Sequence, residues 1–163
     1  MQATKDSFYI TLRDRLVAVD PGRTITIDGA TRPAIVVAEN EPPGSPPTLC
    51  DAFYLHWGAA RAVQPSAGTL MEMECVIAYR TKGSDPNGNL DRGRDLASLD
   101  HDVLAICAPP CSEKCDYCTG TAVDLGSSIF WRQPAFSALV NAPPYLGREV
   151  SVSVFFYPEV NQT

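Results

Sequence analysis

Histidine is nearly missing from this chain: His56 and His101 are the only two among 163 residues. A chain so poor in imidazole cannot easily hold both a His-based catalytic pair and a His-rich metal site. No 18 apolar residues run together, which excludes a helical membrane span from the sequence itself. The opening Met1-Gln2-Ala3-Thr4-Lys5-Asp6 lacks the charged-then-apolar build of a secretory signal, so the expected address is the interior of a cell or a particle assembled there. Basic charge is also short, with 13 Lys and Arg against 19 Asp and Glu for a net charge of −6 and no Lys/Arg-rich run. Such a surface repels phosphate backbones and argues against nucleic-acid recognition. P-loop, G-x-S-x-G and G-x-G-x-x-G motifs are lacking too.

What is present suits one ordinary domain over residues 1–163, with 45% apolar and 20% charged residues. Phe8, Leu12, Leu16 and Val19 fall at helical spacing and predict a helix over 6–19, with Asp6 as its cap and Pro21-Gly22 as its stop. Thr24–Ile27 alternates as a strand. The turn signal Asp28-Gly29 and the apolar run Pro33–Ala38 then predict a hairpin. Residues 40–48 hold four prolines in nine positions and predict an irregular surface loop.

Two further strands are expected. In one, Phe53, Leu55 and Trp57 oppose Ala52, Tyr54 and His56; in the other, Met71, Met73, Cys75, Ile77 and Tyr79 oppose Leu70, Glu72, Glu74, Val76 and Ala78. The second runs about eleven residues and turns acidic on one face, which predicts that part of it projects beyond the core. Residues 58–68 should be an exposed connection between the two. After a polar loop, Asp91 opens a second helix with Leu96, Leu99, Val103 and Ile106 as its buried stripe, ended by Pro109-Pro110. A Cys-rich irregular segment (107–120), a short strand near 128–131 and a clear last strand from Val150 to Tyr157 follow. The expectation is a single α+β domain: a mainly antiparallel or mixed sheet packed with two main helices.

Six cysteines are the unusual feature, four of them spaced Cys107-x3-Cys111-x3-Cys115-x2-Cys118. Four thiolates can enclose zinc tetrahedrally or hold an iron–sulfur cluster, which makes a small four-cysteine metal domain the alternative reading of the chain. Free thiols or one or two disulfides compete with it. Cys111 to Cys118 also matches the C-x3-C-x-aromatic-C motif of radical S-adenosylmethionine enzymes, but only 45 residues follow Cys118, too few for the long barrel that motif opens. Asp85, Asn87, Asn89 and Asp91 alternate like calcium ligands, yet Leu90 stands where such a loop needs Gly and Leu96 where it needs Glu. Asp100 and Asp102 read as a solvated helix face, and Glu72 with Glu74 as exposed strand acids rather than an acid/base pair.

Glu74–Gly83 followed by Asp91–Asp100 resembles prophage tail-assembly proteins. Together with the first helix, the hairpin, Ile129-Phe130-Trp131 and the closing Val152–Tyr157 strand, the chain is similar to the tail terminator (tail completion) family of long-tailed phages. That resemblance implies a homo-oligomeric ring, usually of six subunits, which caps the head-proximal end of the tail tube and presents a face to the head–tail connector. It implies no active site and no cofactor. The partners it implies are further copies of the chain, the tail tube protein and the connector, and the implied location is a virion tail or phage-like particle assembled in the bacterial cytoplasm. Under it, residues 40–48, 58–68 and 81–92 are the contact elements, and Arg80, Lys82, Arg92 and Arg94 are candidates to pair with acids on a neighbour. Nothing in that role requires thiols.

Overall fold

The computed structural model describes residues 1–38, 47–63, 69–84, 86, 88 and 90–158. The segment 40–46 of the Pro-rich loop, residues 64–68 of the 58–68 connection, and Asp85, Asn87 and Asn89 of the calcium-like run lie outside the described residues.

Helix α1 spans Gln2–Val19, starting four residues before the sequence expectation. Asp6 does not cap it; its carboxylate accepts the Gln2 side-chain amide at 2.8 Å from inside the helix. Phe8, Leu12 and Leu16 are fully buried as expected, whereas Val19 is exposed, because the buried stripe runs instead through Ala3, Thr4 and Ser7. The chain then forms a two-stranded hairpin, β1 (Thr24–Ile27) with β2 (Ala30–Pro33). Its two-residue turn places both Asp28 and Gly29 at positive φ, the geometry that matches strand twist. The apolar run assigned to the hairpin's second arm goes elsewhere. Its residues Ile35–Val37 form β3, which leaves the hairpin and pairs parallel with β4.

The main sheet is built from β3, β4 (Phe53–Ala62), β5 (Met71–Thr81), β6 (Cys111–Asp116), β7 (Val123–Trp131), β8 (Ala135–Phe136), β9 (Val140–Ala142) and β10 (Tyr145–Phe156). Its order is β3-β4-β5-β10-β7-β6, with β8 and β9 also laid along β10. Every pairing is antiparallel except β3 with β4, so the sheet is mixed. The expected projection of β5 is absent: β10 pairs with it from Thr81 to Met71, and the acids Glu72 and Glu74 simply stand on the sheet's open face. Residues Gly58–Ala62, expected as a connection, continue β4 past an irregularity between Trp57 and Ala60.

Strand alternation sorts the core. Phe53, Leu55, Met73, Cys75, Ile77, Tyr79, Val150, Val152, Val154 and Phe156 join the α1 stripe in one cluster. The second helix, α2 (Arg92–Ile106), adds Leu96, Leu99, Val103 and Ile106, the stripe its sequence predicts. Tyr54 and Ala78 point the other way and make a small second cluster with Ala34, Ala38 and Ala52. The result is an α+β domain with a curled mixed sheet and both helices on its main core.

Candidate functional site

The four basic candidates lie at one end of the sheet, where β5 ends, α2 begins and the β9–β10 turn returns. Arg80 is largely committed within the chain. Its guanidinium lies 4.0 Å over the Tyr145 ring, and its Nη2 donates to the Thr48 carbonyl at 2.9 Å. The Arg80 carbonyl accepts the Asp51 amide at 2.8 Å, so this strand end also holds the chain on its way into β4. Arg92 donates from Nη1 to the Pro144 carbonyl at 3.1 Å, tying α2 to the turn before β10. Lys82 and Arg94 are the exposed pair, with no ion pair among the described residues.

Ser84, just after β5, is tied to Asp91 at the start of α2. Ser84 donates its amide (3.0 Å) and its hydroxyl (2.5 Å) to the Asp91 carboxylate, which is therefore occupied with closing the loop into the helix. Gly83 sits at φ 72°, and a Cβ there would meet Asp91 Oδ1 at 2.5 Å and Arg92 Cγ at 2.8 Å. Only glycine fits a backbone that is both left-handed and this closely overlain.

The cysteine segment is not the irregular stretch expected. Cys111–Asp116 is strand β6, paired antiparallel with β7 from Cys111↔Phe130 to Asp116↔Val123. Successive strand residues rise ~3.3 Å, so Cys111 and Cys115 stand about 13 Å apart along β6, whereas two thiolates on one zinc lie within about 4.6 Å of each other. Cys107 is elsewhere again, buried in the main core, where loss of solvation pushes its thiol up to about 12 against a weaker pull from Arg15. Cys118 is exposed beyond the strand, its thiol raised chiefly by a hydrogen bond to Asp116. Among the described residues no group of three His, Cys, Asp or Glu stands close enough to hold a metal ion. Cys75 is sealed in the core and its thiol is likewise raised by burial; Cys50 is raised more mildly, first by burial and then by Asp51.

Two of the acids sit differently from the sequence reading. Asp102 is buried and bonds Arg23 Nε at 2.5 Å, while Asp100 accepts a short hydrogen bond from the Tyr79 hydroxyl and lies 3.5 Å from Arg148 Nη1. Desolvation and the neighbouring Asp100 carboxylate together hold the Tyr79 phenol well above its ordinary pKa. These contacts bridge the sheet, α2 and the link after α1. Sequence reasoning missed them because a helix acid looks solvated until the fold brings an arginine from 79 residues away. Glu72, by contrast, is an ordinary strand acid. Hydrogen bonds from Ser153 and Arg61 hold its carboxyl below the usual range, and Arg61 Nη2 reaches it at 2.8 Å. His56 is half-buried on β4 and His101 is exposed on α2.

No protein-family model matches this chain, and no curated protein matches it.

Proposed function

We propose that this chain is a ring-forming structural protein of a phage-like tail, a terminator that closes the tail tube and meets the head–tail connector. The reading rests on the sequence resemblance, which spans both helices, the hairpin and the closing strand. The observation that supports it most directly is the basic end of the sheet. There Arg80 and Arg92 are anchored within the chain, Ser84 is tied to Asp91, and Lys82 and Arg94 stand exposed. A heterologous ring contact needs an exposed patch facing a different patch on the next copy. The proposed partners are other copies of the chain, the tail tube protein and the connector, at the site of tail assembly in a bacterial cytoplasm. Their joining is geometric work and asks for no reacting group.

A native mass spectrum tests the reading. Six chains of 17.6 kDa would appear near ~106 kDa. In the K82E/R94E variant the ring peak should give way to monomer while the circular dichroism spectrum stays that of the wild type. A wild-type protein that remains a monomer both alone and with tail tubes overturns the proposal.

A further inference from the structure

Among the described residues strand β6 ends the sheet, and no described strand pairs with the other side of its backbone. Neighbouring residues of a strand direct their N–H and C=O groups to opposite edges. The Trp131 amide donates to the Pro110 carbonyl at 3.0 Å, which turns residues 110, 112 and 114 toward β7 and leaves Cys111, Glu113 and Cys115 facing outward.

Two of the three outward positions are met directly by α1 side chains, and the third is reached only through the Ser112 hydroxyl. Ser7 Oγ accepts the Cys115 amide at 2.9 Å and stands 3.2 Å from the Cys115 carbonyl, sharing its proton between that oxygen and the Ala3 carbonyl at 2.7 Å. Thr11 Oγ1 bonds Ser112 Oγ at 2.6 Å, and that hydroxyl donates on to the Glu113 carbonyl at 3.3 Å. Arg15 donates from Nη2 to the Cys111 carbonyl at 2.9 Å, and its Nη1 takes the Pro109 and Ile106 carbonyls at 2.7 and 3.0 Å. The match has a metric reason. Four residues of helix rise about 6 Å, and two residues of strand rise about 6.7 Å. A polar stripe at positions 7, 11 and 15 therefore keeps step with every second residue of an antiparallel strand.

We propose that this stripe is an edge guard: Ser7, Thr11 and Arg15 take the place of a missing strand on β6 and keep a second copy of the chain from pairing there. An unguarded edge is a template for strand addition, and a protein concentrated at an assembly site meets its own copies constantly. The guard makes β6 a latent strand-binding edge, open only when α1 is displaced or its polar stripe is lost.

The full chain carrying S7A/T11V tests this, with size-exclusion light scattering and amide hydrogen exchange over a range of protein concentrations. The variant should form species of about twice the largest wild-type mass, growing with concentration. In those species the Glu113 and Cys115 amides should exchange more slowly than in the dilute variant. A folded variant with the wild-type mass distribution overturns the guard, as does new association that leaves the β6 amides unprotected. Should S7A/T11V not fold, R15M is read the same way, since it frees the Cys111 carbonyl together with those of Pro109 and Ile106 and leaves both α1 hydroxyls in place. Loss of the fold in both variants would make the stripe a packing element and overturn the guard as well.

Discussion

The Asp102 side chain is 6% exposed and its partner Arg23 only 14%. Arg23 also reaches Asp20 at 3.1 Å and Ser98 at 3.2 Å, so removing Asp102 leaves the arginine two partners, whereas removing Arg23 strands the buried Asp102 carboxylate. R23M should cost about 3–5 kcal/mol in urea unfolding, while R23M/D102L, which removes both charges, should recover most of that loss. An R23M protein as stable as the wild type would show the pair to be dispensable. Cys107 carries a second prediction through pH. Its thiol titrates near the ordinary 9 when unfolded and is pushed up to about 12 in the fold, so its contribution is complete below pH 9. Between the two values the unfolded chain has released the proton and the folded one has not. Stability should therefore fall by roughly 1.4 kcal/mol per pH unit through that window on this account alone. Urea midpoints at pH 8 and pH 10.5 should diverge more for the wild type than for C107A; equal divergence would mean the thiol is open to solvent.

Elements divide into those written in local spacing and those decided by distant partners. Both helices were legible, because an apolar stripe at helical spacing needs only a flat apolar surface to lie on. Val150–Phe156 and Met71–Tyr79 were legible for the same reason at period two. The Cys111–Asp116 strand was not. Its buried member is Lys114, whose Nζ donates to the Tyr157 carbonyl, so hydrophobic alternation gives it no signal. Nor could local pattern tell that Ile35–Val37 would leave the hairpin for a parallel partner. Of the four basic candidates, Arg80 and Arg92 look as free in sequence as Lys82 and Arg94, because the carbonyls that tie them, Thr48 and Pro144, lie far off in the chain. The glycine that precedes Ser84 yields a test at this scale. Gly29 and Gly83 share a positive φ, but a Cβ on Gly29 meets nothing within 4 Å, while on Gly83 it meets Asp91 and Arg92. G29A should cost about 1 kcal/mol, the left-handed penalty alone, and G83A clearly more because the clash adds to it. Equal losses in thermal unfolding would mean that the loop gives way and does not hold α2's first turn in place.

For the molecule as a whole, the four-cysteine metal reading and the proposed ring make opposite demands on the thiols. If four cysteines held a metal, binding energy would be folding energy, and a chelator or a serine variant would unfold the chain. The fold distributes them otherwise: Cys107 in the core, Cys111 and Cys115 along one strand, Cys118 past its end. None of the last three is buried, and their backbone is held by Arg15 at Cys111, Ser7 at Cys115 and Asp116 at Cys118, not by sulfur. The variant C111S/C115S/C118S should therefore unfold at the wild-type temperature, with or without chelator, and give the wild-type native mass. A variant that unfolds, or a wild type that loses mass and structure together when chelated, would move the metal domain from the alternative reading to first place. A variant that keeps its fold but loses an oligomer that the wild type forms would place the thiols in a subunit contact, in addition to the contacts proposed at Lys82 and Arg94.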